Sequence, residues 1–280
     1  MNYNTILNEA SNLLNISNIK NPRLDTELLL SNSLNISREN LLLNLNKKMN
    51  LKEYNKFLNF LEERKKRKPI AYIVGFKEFW KSKFIVNESV LIPRPETELV
   101  VQESLNYLSK KKSKKIIDIG TGSGCIIISL LKECPKSNGV AIDISKKALK
   151  IAKINAKLQH VDNRIKFINS DVDKYSSDKY DLIVSNPPYI KKIKISRLEE
   201  DVRNFEPLIA LDGGYSGRSK LEKVINKSSY LLKMNGKLIL EISSDQVNFV
   251  INRLKENRFY INRISKDLSN KYRCVVCTKQ

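Results

Sequence analysis

From Lys115 onward the chain alternates short apolar runs with amphipathic stretches, and this alternation restricts the possible folds more than any other feature. The apolar runs read as strands at Lys115–Ile119, Gly139–Ile142, Arg164–Ile168, Asp181–Ser185 and Lys237–Ile242. Helices fall between them at Cys125–Glu133, Lys146–Lys157, Leu221–Leu232 and Gln246–Asn257. Parallel neighbours need a long crossover, usually a helix, so the pattern predicts a doubly wound α/β domain. Two last strands, Tyr260–Ile264 and Arg273–Thr278, have no helix between them. That ending predicts a hairpin, with one antiparallel strand in an otherwise parallel sheet.

Before Ile70 the apolar residues follow helical spacing: Leu7, Ala10, Leu13 and Leu14, then Leu24, Leu28 and Leu29, then Tyr54, Phe57, Leu58 and Leu61. Asn21-Pro22, Asn35–Ser37 and Lys47–Asn50 punctuate them, which predicts a bundle of four or five short helices ending near Lys68. Ile70–Val74 and Phe84–Val86 read as β-like, and a helix is expected from Thr97 to Leu108. The expected organisation is a helical domain over residues 1–69, a β-type linker over 70–90 and the α/β domain over 91–280.

The scarce residues exclude whole classes of chemistry. The one histidine, His160, lies in a polar stretch that reads as a solvated loop, so no multi-histidine metal site can be assembled. Cys274-Val-Val-Cys277 has the spacing of half a zinc site but no second pair, and in a strand these positions face opposite ways. Free thiols and no metal are expected. The net charge of +21 comes from 51 Lys and Arg against 30 Asp and Glu. It is diffuse, +6 over residues 1–90 and +15 over 91–280, so it favours acidic partners without selecting one. The dense run Arg64–Lys68 ends a helix, where it complements the macrodipole as readily as it docks a partner. With 41% hydrophobic residues the chain should fold. Its longest apolar run, Cys125–Leu131, falls short of the roughly 18–20 residues of a membrane span. Met1–Thr5 lacks the makings of a signal peptide. These features together predict a soluble, cytoplasmic protein.

In doubly wound folds, ligands bind beyond the carboxyl ends of the strands. The first strand of the sheet ends in Asp118-Ile-Gly-Thr-Gly-Ser-Gly124, where Gly120, Gly122 and Gly124, with Thr121 and Ser123, allow close backbone approach. A dinucleotide fingerprint would place its third glycine at Cys125. Asp143 ends the second strand, where a carboxylate can accept from both hydroxyls of a ribose. Asp171 follows the third strand and suits an adenine amino group, with Val172 against the ring. Each aspartate alone would equally suit loop capping, but successive strand ends carrying all three features point to one ligand. No Gly-Lys-Ser/Thr phosphate loop is present, so an adenosine without phosphates is favoured, and S-adenosylmethionine is the obvious candidate.

The fourth strand ends in Asn186-Pro187-Pro188-Tyr189. A planar NH₂ group is a poor nucleophile because its lone pair is delocalised. The Asn186 side-chain oxygen and the Pro187 carbonyl can accept its two N–H groups, orient the nitrogen and stabilise developing positive charge. Consecutive prolines fix φ and stiffen that carbonyl, and Tyr189 can lie flat against the planar group. The expected catalytic residues are Asn186, Pro187 and Tyr189, with Pro188 completing the substrate site. No strong general base is required, since the proton can leave after transfer.

This constellation resembles the S-adenosylmethionine-dependent amino-group methyltransferases, some of which act on DNA adenine or ribosomal RNA guanine. Ile92-Pro-Arg-Pro-Glu-Thr-Glu98, Asp118–Gly124, Ser185–Ile190, Glu206-Pro-Leu-Ile-Ala-Leu211 and Lys266–Arg273 occur in an order that closely resembles the HemK/PrmC family. The resemblance implies a seven-stranded, Rossmann-like methyltransferase sheet behind a helical bundle that helps hold the substrate. It implies cofactor contacts at Gly120–Gly124, Asp143, Asp171, Val172 and Asn186, and glutamine contacts at Asn186–Tyr189. The implied reaction is methylation of the glutamine side-chain amide in the Gly-Gly-Gln loop of peptide chain release factors. Partners are then release factors, with no obligatory nucleic acid, no membrane and a monomeric enzyme. The chain departs from the family in Glu241–Gln246, where serine replaces a glycine, and at Asn270; both departures are expected to lie away from the site. Two rivals remain open: a DNA or ribosomal RNA amino-methyltransferase, and a non-catalytic ribosome-associated adaptor. An adaptor has no need of Asn186 and Tyr189, and the charge is too diffuse for a base-flipping groove.

Overall fold

Asn2, Ser37 and Asn50 each accept a backbone N–H from the turn that follows them. These caps start three of the N-terminal helices in the computed structural model, which describes residues 1–108, 112–176 and 179–280. Glu53 returns a bond to the Asn50 N–H, completing a capping box. The helices are α1 (Tyr3–Ile16), α2 (Pro22–Leu34), α3 (Arg38–Leu42), α4 (Leu51–Lys65) and α5 (Ile70–Val74). With the segment Glu199–Phe205 they form one compact unit, Met1–Phe76. Its core buries Leu7, Leu14, Leu29, Leu30, Phe57 and Leu61, each contributing roughly 1.5–3 kcal/mol. Leu13, Leu24 and Leu58, at the margins of the apolar stripes, stay exposed.

A buried ion pair crosses this unit. Arg64 Nε donates to Asp25 Oδ2 at 2.8 Å and its NH1 to Asp201 Oδ2 at 2.6 Å. Burial still pushes the Asp25 carboxyl up, outweighing the guanidinium. Arg67 faces Glu200 at 3.4 Å, while Lys65, Lys66 and Lys68 pair with Glu62 and Glu63. The run Arg64–Lys68 is thus neutralised within its own unit.

The β-type linker needs correction. Ile70–Val74 is helical, started by Pro69 at φ −58° and stopped by Gly75 at φ 87°. A short apolar run fits either structure by pattern alone, and here the flanking proline and glycine decide. The hairpin comes later, as β1 (Phe76–Phe79) and β2 (Ser82–Ile85), and the unit boundary falls after Phe76.

The second unit, Lys77–Leu198 with Glu206–Gln280, holds the sheet. After a 3₁₀ turn at Pro95–Thr97 come α6 (Glu98–Tyr107), β3 (Lys115–Ile119), α7 (Cys125–Glu133), β4 (Asn138–Asp143), α8 (Lys146–Leu158), β5 (Ile165–Asn169) and β6 (Tyr180–Ser185). The chain continues through α9 (Lys192–Ile195), α10 (Glu200–Phe205, in the first unit) and α11 (Leu208–Leu211). It closes with α12 (Ser219–Leu231), β7 (Leu232–Glu241), α13 (Val247–Glu256), β8 (Phe259–Lys266) and β9 (Tyr272–Lys279). The seven strands order as β5-β4-β3-β6-β7-β9-β8, and only β9 runs antiparallel to its neighbours, as the terminal hairpin predicts. Alternate residues feed two cores. Ile116, Leu182, Val184 and Ile239 pack with α6 and α7, whereas Ile117, Ile183, Leu238 and Leu240 pack with α12 and α13. Cys274 and Cys277 fall in opposite cores, all four cysteines are free and buried, and His160 is exposed. No metal-holding cluster and no helix long and apolar enough to cross a membrane occur among the described residues.

Candidate active site

Between β3 and α7 the chain must turn sharply, and three glycines make the turn. Gly120, Gly122 and Gly124 hold φ values of 75°, 56° and 82°, which only glycine adopts freely. Around Gly120 and Gly122 a Cβ would meet nothing within 4 Å, so their bare backbone faces open space. Gly124 serves packing instead: a Cβ there would stand 2.8 Å from Ile128 Cδ1 and 3.3 Å from Ala152 Cβ of α8. The N–H groups of Gly120 and Thr121 donate to the Ile142 carbonyl at 2.9 and 3.0 Å, pinning the loop to the end of β4. Beneath it, buried Asp118 accepts from Thr121 Oγ1 at 2.7 Å, and burial raises its carboxyl to about 7.

Asp143, at the end of β4, accepts Gly122 N–H at Oδ2 (2.9 Å) and Ser145 N–H at Oδ1 (2.8 Å). These bonds fix the carboxylate and leave each oxygen a further lone pair. Burial pushes its carboxyl up, against the pull of those N–H donors. Asp171 caps the turn after β5, accepting from Asp173 N–H at 3.1 Å.

One cleft collects the sequence-predicted residues. Gly120, Thr121, Gly122, Ser123, Asp143, Asp171, Val172, Asn186, Pro187 and Pro188 all line it. Gly124 and Tyr189 are not among its lining residues. Opposite walls come from Leu91, Pro93, Arg94 and Thr97, from Pro207, Ile209 and Ala210, and from Lys220, Lys223 and Val224. Glu206 joins two of these walls by accepting Ile92 N–H at 3.2 Å and pairing with Arg94.

The Asn186–Tyr189 turn is braced from below. Ser185 Oγ donates to the Ile119 carbonyl at 2.6 Å. Asn186 Nδ2 donates to Thr97 Oγ1 at 3.1 Å, Thr97 Oγ1 to Glu241 Oε2 at 2.6 Å, and the Tyr189 hydroxyl to Glu241 Oε1 at 3.3 Å. Neither Asn186 Oδ1 nor the Pro187 carbonyl accepts a hydrogen bond from a described residue. Glu241 is 1% exposed, and burial raises its carboxyl to about 7. Burial, with the Glu241 charge beside it, likewise holds the Tyr189 phenol above its ordinary value. Gln246 Nε2 donates to the carbonyls of Tyr189 (3.1 Å) and Gly217 (2.7 Å). A Cβ on Gly213 would stand 2.8 Å from the Pro188 oxygen, so the loop Gly213–Gly217 packs directly on the turn.

Sequence reasoning assigned no role to Thr97, Glu206, Glu241 or Gln246, and it placed Glu241–Gln246 away from the site. The structure corrects that placement, because β7 pairs with β6 and so delivers Glu241 and Gln246 to the turn. A signal existed. Glu241 ends the buried run Leu238-Ile-Leu, and a carboxylate there requires partners.

This sheet, with a glycine turn after its first strand, an aspartate after its second and Asn-Pro-Pro-Tyr after its fourth, defines a Rossmann-like methyltransferase. Residues 98–201 match the methyltransferase small domain, and residues 5–75 match the PrmC N-terminal domain. A ribosomal protein L11 methylase from Lactobacillus delbrueckii (TM-score 0.52, 20% identity, covering 68% of this chain and 82% of that one) shares the fold. So does a methyltransferase from Pyrococcus furiosus (TM-score 0.53, 14% identity, covering 70% and 88%). The chain belongs to the release factor glutamine methyltransferase family. It is 36% identical to the member so named from Fusobacterium nucleatum, covering 98% of this chain and 78% of the relative. It is 34% identical to that of Caulobacter vibrioides, covering 96% and 94%. A bifunctional methyltransferase from Rickettsia typhi is 38% identical over 96% of this chain, which spans 56% of that relative's length. The chain therefore spans about half the length of the first curated relatives it matches.

Proposed function

We propose that the chain transfers a methyl group from S-adenosylmethionine to the side-chain amide nitrogen of the glutamine in the Gly-Gly-Gln loop of peptide chain release factors. The observation that carries this reading is the meeting, in one cleft, of two uncommitted acceptors at Asn186 and Pro187 with the glycine turn and Asp143. Bare backbone at Gly120 and Gly122 leaves space for a flat or charged ligand. Asp143 would hold the ribose hydroxyls, and Asp171 with Val172 the adenine. S-adenosylmethionine supplies an electrophilic methyl group on a sulfonium.

The chain's own residues then do the aligning. Asn186 Oδ1 and the Pro187 carbonyl accept both N–H groups of the substrate amide, orient its nitrogen towards the methyl group and stabilise the positive charge that develops on nitrogen. Alignment of this kind is worth roughly 7–11 kcal/mol in intramolecular analogues. The methylated amide then gives up its extra proton to solvent, so no strong general base is needed during the transfer. The relatives named release factor glutamine methyltransferase support the choice of a protein amide over a nucleobase. On this reading the partner is a release factor, with no obligatory nucleic acid and no membrane, and the enzyme acts as a cytoplasmic monomer. The test is incubation with labelled S-adenosylmethionine and, separately, release factor, ribosomal RNA and DNA. Label on the release factor glutamine is expected; label on nucleic acid alone would overturn the proposal.

A further inference from the structure

We infer that Thr97 and Glu241 are positioning residues that set which end of the Asn186 amide faces the cleft; this rests on the functional reading above. An asparagine amide can present either an oxygen or an NH₂ group, and only the oxygen can accept from a substrate amide N–H. A wrongly turned Asn186 would oppose donor to donor. Something must break the tie.

The geometry shows what does. A threonine hydroxyl has one proton, and that of Thr97 is committed to Glu241 Oε2 at 2.6 Å. Thr97 Oγ1 can therefore only accept from Asn186, and it meets Nδ2 at 3.1 Å. With Nδ2 held there, Oδ1 is left for the cleft, which Asn186 lines. Glu241 is the origin of the polarity: it lies at the buried end of β7, and in its ionised form, which burial confines to higher pH, its carboxylate can only accept. Its second oxygen accepts from the Tyr189 hydroxyl at 3.3 Å, so the same carboxylate also restrains the ring at the far end of the turn. Thr97 lines the cleft but on this account acts through Asn186, and Glu241 acts through Thr97 and Tyr189.

The test uses the full-length chain with Thr97→Val, Thr97→Ser and Glu241→Gln, and reads two quantities. The first is methyl transfer to whole release factor, split into kcat and KM, with S-adenosylmethionine affinity measured alongside. Thr97→Val removes the hydroxyl at constant shape and should lower kcat by about 10-fold or more, as expected for a mispresented acceptor. Its cofactor affinity should stay within about 2-fold, and Thr97→Ser should restore kcat to within about 3-fold. Glu241→Gln, which can donate to Thr97 and free its proton, should follow the valine variant. The second quantity is the side-chain NH₂ resonance of Asn186 in ¹⁵N-labelled protein, assigned by its loss in Asn186→Ala. It should move in Thr97→Val and hold its position in Thr97→Ser. Wild-type kcat in Thr97→Val, or an unmoved Asn186 resonance, would overturn the inference. If the unaltered chain transfers no methyl group to release factor, the functional reading fails, and the resonance alone decides the orientation of Asn186.

Discussion

At the scale of single residues, the cleft depends on groups that cannot satisfy themselves. Asn186→Ala deletes one of the two acceptors, and turnover should fall by about 10²–10³, the usual cost of losing one preorganised partner of developing charge. Cofactor affinity should change little, and steady-state kinetics with release factor checks both; near-normal turnover would contradict the assigned role. The buried carboxyls make a second prediction. Burial raises both Asp118 and Glu241 to about 7. The folded chain then holds protons that the unfolded chain has already released, so this stability is complete below a pH of about 4 and is lost as pH rises through about 7. Asp181, Asp245 and Asp267 are shifted downward, and their opposite effect belongs to lower pH. The melting temperature should therefore fall between about pH 5 and pH 8, and Glu241→Gln should flatten that fall. A melting temperature that climbs over the same interval would contradict the account.

At the scale of elements, Arg64 gives the sharpest prediction. It is buried between Asp25 of α2 and Asp201, and removing one partner of a buried pair costs about 3–5 kcal/mol because a charge is left stranded. Arg64→Leu should lower the unfolding free energy by that order, as measured by denaturant titration; a loss under about 1 kcal/mol would place the pair among surface contacts. Arg64 also marks what the sequence could and could not tell. The sheet was legible because short apolar runs and amphipathic helices are local patterns, and every strand read from Lys115 onward is present. The glycine turn, Asp143 and Asn186 were legible because the fold puts strand ends at one edge. Ile70–Val74 was misread because five apolar residues carry no period. Arg64 looked like one cation among five, and Glu241 like the end of a strand, because their partners lie 39 and 144 residues away. Such long-range pairings leave no mark in a local pattern.

At the scale of the whole molecule, we propose that the N-terminal bundle docks the release factor. A chain beginning at Lys77 should lose more kcat/KM on whole release factor than on a short Gly-Gly-Gln peptide, and equal losses would contradict a docking function. Some loss on the peptide is also expected. Truncation strips Asp201 of Arg64, and the segment that carries Asp201 leads straight into Glu206 and the cleft-lining Pro207. That excursion has a consequence of its own. Polypeptide from the methyltransferase unit leaves after Leu198, is built into the bundle through Phe205, and returns at Glu206. A single protease nick after Phe76 would leave two fragments that still travel together through a sizing column, because Glu199–Phe205, carried by the second, is part of the compact unit formed by the first.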